Sequence, residues 1–329
     1  MIIQFQTLLA KFRDILLRNG FSPDQSSELA RVFTESTMDG VFSHGINRFP
    51  RFIEDVKQGI VVAGTGPELI SSYSALEQWD GRRGAGISNA QFCTDRSMEL
   101  ASSHGIGAVG LRNTNHWMRG GTYGWRAAEQ GFLFIGWTNT MPNMPPWGAS
   151  SPRLGNNPFV LAIPRGKEPL VLDMAMSLYS YGKLEWHRRK GLELPEYGGY
   201  NLDKKLSRDP GEILESKQIL PAGLWKGSAL ALVLDLAAAL IAGGNTTKKI
   251  GELPAETELS QVFIALDLKR QFTEKEGENM IDETLESLQG LHEQVRYPGQ
   301  RALRDRKRHM AHGVDIPEEL WKELLKLSS

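Results

Sequence analysis

One cysteine, Cys93, stands in a chain of 329 residues. An intrachain disulfide is therefore impossible. Without a CxxC pair, zinc-ribbon chemistry loses its ligands, and a reducing compartment fits the chain. Neither sign of charge dominates: 38 Lys and Arg stand against 39 Asp and Glu, for a net charge of −1. Such a balance gives no reason to expect nucleic acid or an anionic membrane as partner. The one basic run, residues 301–309, reads at helical spacing as a solvated face. Long apolar runs are scarce too. The most apolar stretch, residues 229–242, is too short to span a bilayer comfortably and holds Asp235, so it reads as a buried core helix. Residues 1–7 show no basic segment leading into an apolar one, and a secretory signal is not expected.

Several motifs are also missing. Gly81-Arg-Arg-Gly-Ala-Gly86 is rich in glycine but places Asn89 where a dinucleotide fingerprint needs its third Gly, and no strand is read before it. P-loop, G-x-S-x-G and HExxH patterns do not occur, which removes the main support for NTPase, α/β-hydrolase and metalloprotease readings. No metal is called for.

What is present is an alternation of helical and strand periods in a chain of ordinary composition, 40% hydrophobic and 23% charged. Helices are expected over 3–19, 25–38 and 47–58, with Ser22 and Asp24 as cap residues and Pro50 in a first turn. A helix over 90–103 should stop at His104-Gly105, where a left-handed glycine and a cation suit a C-terminus. Strands are expected over 107–112, 132–137, 159–163, 170–173 and 262–267, with a helix over 123–130. Residues 190–215 read as an excursion, residues 220–244 contain the apolar helix, and residues 271–329 read as mostly helical. There is no internal repeat.

Two histidines carry the chemistry. His44 lies in Ser43-His-Gly-Ile-Asn-Arg48, where Arg48 is four residues on and would share a helix face with it. A histidine moves protons near neutral pH, and an arginine clamps a carboxylate with two hydrogen bonds. His116 lies in Arg112-Asn-Thr-Asn-His-Trp-Met-Arg-Gly-Gly121, after an expected strand and before an expected helix, where ligand loops gather in α/β folds. His104 reads as a helix cap. His187, His292, His309 and His312 sit in polar stretches and give no site signal. On the residues alone, the reading is an α/β enzyme with a His/Arg site.

Ser43-His-Gly-Ile-Asn-Arg-Phe-Pro-Arg51, Leu111-Arg-Asn-Thr-Asn-His-Trp-Met-Arg119, Leu172-Asp-Met-Ala-Met-Ser177 and Trp225-Lys-Gly227 together resemble the type 2 malate/L-lactate dehydrogenase family. The resemblance runs over nearly the whole chain. Met144-Pro-Pro-Trp-Gly148 and Ser180-Tyr-Gly182 point to a branch that reduces a diketo sugar acid. The resemblance implies a non-Rossmann, mixed-sheet α/β cofactor domain (residues 71–285) and a helical domain from both termini (1–70 and 286–329). It also implies a cytoplasmic homodimer using NADH, with NADPH as the alternative, on a small 2-keto acid.

By that resemblance His44 is the proton donor, with His116 as the competing candidate and Arg48 on the substrate. Leu170, Val171, Leu172, Asp173, Met174 and Ala175 match a cofactor-contacting stretch, as do Trp225 and Lys226, and Gly299, Gln300 and Arg301. An acidic residue is usual in the last of these and is replaced here by Gln300-Arg301; Asn156 likewise replaces a usual Thr. Within the family the substrate could instead be malate, L-lactate or ureidoglycolate. Two other classes stand beside this reading: a catalytically dead ligand-binding protein, and a hydrolase using Ser43 with His44. The hydrolase is weakened because adjacent side chains seldom face one another.

Overall fold

The computed structural model describes residues 1–271, 273–292 and 295–327. After β1 (Ile2–Ile3) come α1 (Phe5–Arg18) and α2 (Pro23–Met38). Leu8, Phe12, Ile15 and Leu16 recur on one face of α1 and are fully buried. Ser22 starts α2 as expected, its hydroxyl accepting the Gln25 N–H at 3.2 Å. A 3-10 turn, Phe42–His44, leads to α3 (Phe49–Lys57). Phe12 and Phe49 pack ring on ring with centroids 4.3 Å apart. The same core takes Val314, Ile316 and Leu324 from the far end of the chain.

The sheet begins with β2 (Glu68–Tyr73) and β3 (Leu76–Asp80), an unforeseen hairpin whose first strand is exposed along its length. Its alternation carries too few buried positions to announce itself. α4 (Gly86–His104) then returns the chain to β4 (Ile106–Thr114), parallel to β3. Gly105 closes α4 at φ 84°, as its position before the strand requires. Next come α5 (Gly121–Ala128), β5 (Phe132–Thr138), β6 (Phe159–Ile163) and β7 (Leu170–Met174). The excursion holds α6 (Tyr181–Lys190), β8 (Gly199–Tyr200), β9 (Leu206–Ser207), α7 (Pro210–Ser216) and β10 (Gln218–Ile219). It has a small core of its own around Leu184, Leu194 and Ile213. The chain closes with α8 (Trp225–Ala242), α9 (Thr247–Ile250), β11 (Leu259–Asp267), α10 (Glu274–Gln289), α11 (Gln300–His312), β12 (Val314–Asp315) and α12 (Glu318–Lys326). The helical stretch expected over 271–329 includes residues 272, 293, 294, 328 and 329, which lie outside the described residues.

The main sheet runs β2-β3-β4-β11-β5-β6-β7, and only the β3–β4 pair is parallel. This is the mixed α/β sheet that was expected. β11 arrives last and sits at its centre, with Leu259, Val262, Phe263 and Ala265 fully buried. β7 is an edge.

Four expectations change. First, a strand does lead into the Gly81–Gly86 turn: β3 enters it and α4 leaves it. The turn is filled by its own protein, because Asn89 donates to the Gly81 carbonyl at 2.9 Å and to the Thr114 hydroxyl at 3.0 Å. Asn89 therefore closes the turn rather than opening a phosphate cradle. Second, the apolar helix α8 is not a buried core helix. Its small face, Gly227, Ala231, Ala238 and Ala242, packs on the sheet. Its opposite face leaves Val233 59% and Leu240 79% exposed. A helix apolar all round, laid on one sheet, can cover only half of itself. Asp235 lies on the covered face, accepting from Asn139 at 2.9 Å and from the Thr247 N–H at 2.7 Å. Third, residues 301–309 are not simply a solvated face. Leu303, Asp305 and His309 are buried, and His309 Nδ1 lies 2.6 Å from the Met38 carbonyl oxygen. Fourth, His44 and Arg48 do not share one helix; a 3-10 turn and the cap of α3 carry them.

Candidate active site

The Ser-His-Gly turn is shaped by α2. Thr37 donates its hydroxyl to the Phe33 carbonyl at 2.8 Å and accepts the Ile46 N–H at 3.0 Å. A Cβ at residue 45 would collide with the Thr37 hydroxyl, so the turn needs Gly45. Tight 3-10 winding then puts neighbouring side chains on one side: Ser43 Oγ lies 3.0 Å from His44 Nδ1. The expectation that these adjacent side chains would face apart is overturned. Gly182 backs this contact, since a Cβ there would come 2.9 Å from the Ser43 Cβ. Ser43 is thus wedged between α6 and the imidazole, which it orients.

His116 comes from the loop between β4 and α5, and its ring stacks on His44 with centroids 5.8 Å apart and planes 21° from parallel. The two sequence candidates form one site. The Met118 N–H donates to His116 Nδ1 at 2.9 Å. Neutral His116 therefore carries its proton on Nε2 and can donate from there. Withdrawal from water, then the Arg48 and Arg119 charges, pull His44 down to about 4. Withdrawal from water, then Arg48, hold His116 well below the ordinary histidine range. Both rings are neutral at pH 7 before any anion enters.

Arg48, Arg51, Asn115, His116 and Glu256 line one small cleft. Arg48 approaches Glu256 at 3.9 Å, and its buried Nε has no hydrogen-bond partner. Asn115 is pinned by donating to the Arg83 carbonyl at 2.7 Å and the Gly84 carbonyl at 3.0 Å, while its buried Oδ1 has no partner.

Behind the site lies an ionic frame. Asp39, at the end of α2, pairs with Arg119 and accepts two bonds from Arg306 at 2.7 and 2.8 Å. Arg119 also lies 4.0 Å from Asp173, which accepts the Gly121 N–H at 2.8 Å. The frame ties α2, the His116 loop, β7 and α11 together.

The three segments matched to cofactor contact lie along β7 and its continuation. Val171 N–H donates to the Pro298 carbonyl at 3.1 Å, which brings Gly299-Gln300-Arg301 against the start of the strand. The Ala222 N–H donates to the Met176 carbonyl at 2.8 Å, which brings Trp225 and Lys226 against its end. From Val171 to Met176 is about 17 Å at the usual strand rise, an extended dinucleotide's span. Gly299, at φ 93°, has no room for a side chain: a Cβ would lie 3.1 Å from the Trp125 ring and 3.2 Å from the Val171 nitrogen. Gln300 has a buried Oε1 without a partner. Lys226 sits in the first turn of α8, where its own N–H and that of Gly227 are already bonded to the Gly223 and Ala222 carbonyls; what is left to meet an anion is its ammonium, and Trp225 beside it is 61% exposed. These features fit a nicotinamide dinucleotide. Asn156 keeps the polar turn expected of it, its Oδ1 accepting from Asn143 at 2.9 Å and Thr140 at 3.2 Å.

The profile of the malate/L-lactate dehydrogenase family matches residues 3–325. The chain belongs to this family. As a member it is an oxidoreductase of the dehydrogenase/reductase class that acts on 2-keto and 2-hydroxy acids. It is 39% identical to 2,3-diketo-L-gulonate reductase of Klebsiella pneumoniae, over 99% of this chain and all of that protein. It is similar in structure to sulfolactate dehydrogenase of Methanocaldococcus jannaschii, with a TM-score of 0.90 and 28% identity over 99% of this chain and 96% of that one. It shares the fold of malate dehydrogenase from Entamoeba histolytica, with a TM-score of 0.93 and 22% identity over 100% of this chain and 97% of that one.

Four residues of the site carry little signal in the sequence of this member of the malate/L-lactate dehydrogenase family. Asn115 and Arg119 lie inside the His116 motif, where the histidine is the residue that announces chemistry. Asp39 precedes Gly40 at a helix end and carries no motif. Glu256 sits in a Pro-Ala-Glu-Thr stretch with no periodicity, and only the fold brings it to Arg48.

Proposed function

We propose that the protein is a cytoplasmic NADH-dependent reductase of a small 2-keto acid, with 2,3-diketo-L-gulonate as first substrate and NADPH as the alternative cofactor. The observation that carries this is the stacked His44–His116 pair beside the unpartnered Nε of Arg48. Leu170–Ala175, Trp225, Lys226 and Gly299–Arg301 would hold a reduced nicotinamide, which would supply hydride to a ketone carbon. Arg48 holds the carboxylate. His116 offers its Nε2–H to the ketone oxygen, and His44, held by Ser43, delivers the proton as negative charge builds there. The organisation that goes with this reading is a cofactor domain (71–285) and a helical domain from both chain ends.

The test is NADH and NADPH oxidation against 2,3-diketo-L-gulonate, pyruvate and oxaloacetate. Turnover with none of them would leave a ligand-binding protein on this fold. Arg48→Lys is expected to raise KM for the acid chiefly, because an ammonium cannot reproduce a two-point clamp. An unchanged KM in steady-state assays would remove Arg48 from the carboxylate.

The uncovered face of α8 belongs to the same proposal. Leu230, Val233, Leu236 and Leu240 form an exposed apolar strip, and a second copy of the chain is its proposed cover. Light scattering should give twice the chain mass, and Leu240→Glu should shift the protein toward the monomer. A monomeric wild type would reject the homodimer.

A further inference from the structure

The cavity beside His116 is matched in charge. Arg48 caps α3, Arg51 lies in its first turn, and Asp55 follows one turn later on the same face. Glu256 enters from the loop before β11. Two cations thus meet two acids around the neutral His116. Glu256 is held in place: its side chain is 12% exposed, it accepts the Met141 N–H at 3.3 Å, and it stands 3.9 Å from Arg48. At that distance it offsets part of the Arg48 charge without taking up its hydrogen bonds. The guanidinium keeps its buried Nε–H unmatched.

The charge balance of such a cleft favours one entering carboxylate over two. The first meets the guanidinium of Arg48, whose Nε–H has no partner within the protein, in a charge-assisted bond. After it enters, acids outnumber cations. A second carboxylate on the same substrate finds Arg51 already offset by the Asp55 charge and faces Glu256 and Asp55 as like charges in a partly dry site. A hydroxyl behaves oppositely. Ionised carboxylates only accept hydrogen bonds, so Glu256 rewards a donor on the substrate's tail.

We infer that Glu256 is the specificity-determining residue of this site: it rejects 2-keto diacids and selects 2-keto monoacids that carry hydroxyl groups. The inference rests on the 2-keto acid reductase reading and narrows its substrate class. On this reading a site with two arginines at the start of α3 would still discriminate against diacids.

The experiment compares wild type, Glu256→Gln and Glu256→Asp with three keto acids: pyruvate, hydroxypyruvate and oxaloacetate. Glu256→Gln should raise kcat/KM for oxaloacetate relative to pyruvate by about tenfold or more, since it removes one like charge at close range. It should also shrink the preference for hydroxypyruvate over pyruvate. Glu256→Asp keeps the charge and should keep the discrimination, which separates charge from shape. An unchanged oxaloacetate-to-pyruvate ratio in Glu256→Gln overturns the inference. Calorimetric titration with oxamate, a monoanion, and tartronate, a dianion, gives the same comparison without turnover. Absence of turnover with every acid would sink the reductase reading, while the oxamate-to-tartronate affinity ratio still judges Glu256. A wild type that binds both anions equally, or neither, overturns the inference as well.

Discussion

Replacing His44 by Asn is expected to lower kcat by ~10²–10⁴-fold, the usual worth of a positioned general acid. Fold and cofactor affinity should survive. Asn is smaller than His and can still meet Ser43, and the segments matched to cofactor contact lie along β7 rather than on the 3-10 turn. The size of the loss follows from the state of the ring. His44 is pulled down to about 4, first by burial and then by Arg48 and Arg119. A neutral imidazole is a poor acid, so the proton must arrive with the substrate. A bound carboxylate cancels the Arg48 charge and thereby raises His44. Binding of oxamate should therefore take up a proton and weaken as pH rises, seen as a dependence of binding enthalpy on buffer ionisation. His44→Asn should abolish that dependence. A variant with near-normal kcat would transfer the proton to His116, the only other ring in the stacked pair.

The same shift has a stability consequence with a definite sign. Above pH 6.5 His44 is neutral folded and unfolded, and it contributes nothing. As pH falls from 6.5 toward 4 the unfolded chain binds the proton and the folded one resists it, so stability is lost across that window. Below about 4 the penalty is complete.

The sequence exposed the elements whose patterns are local. α1 shows its period through Leu8, Phe12, Ile15 and Leu16, α2 shows its cap in Ser22, and α4 its stop in Gly105. It concealed what depends on partners. β2 is exposed from end to end and lacks alternation. α8 reads as core because composition cannot tell a face covered by the sheet from a face left bare. At the site, His44, His116 and Arg48 are brought together although the geometry first imagined, one helix face, is not the one used. A 3-10 turn locked by Thr37 and Gly45 does that work. Glu256 and Asp39 were illegible because their meaning lies in residues more than 80 positions away: Arg48 for the one, Arg306 for the other.

Asp39→Ala is expected to be the most destabilising single change outside the aromatic core, by ~3–5 kcal/mol, the cost of leaving a buried ionic partner uncompensated. Asp39 is 3% exposed and serves two guanidiniums at once. Without it Arg306 keeps Glu129 at 3.6 Å and the Trp125 ring at 5.0 Å, and it can still turn toward water. Arg119 has no such exit: its side chain is 7% exposed, and its remaining partner, Asp173, stands 4.0 Å away. The penalty therefore falls on Arg119, and removing that charge should recover part of it. Urea unfolding at pH 7 of Asp39→Ala, Arg119→Leu and the double variant forms the cycle that separates pair from environment. The double variant should be more stable than Asp39→Ala alone, and additive losses would show that the pair is not coupled. Activity supplies the second readout. Arg119 is one of the charges holding His44 neutral and lies three residues from His116, so a displaced guanidinium should alter the pH profile of kcat. If Asp39→Ala costs under ~1 kcal/mol, a value typical of exposed pairs, the frame behind the two histidines is a solvated one and their alignment must come from Thr37, Ser43 and Met118.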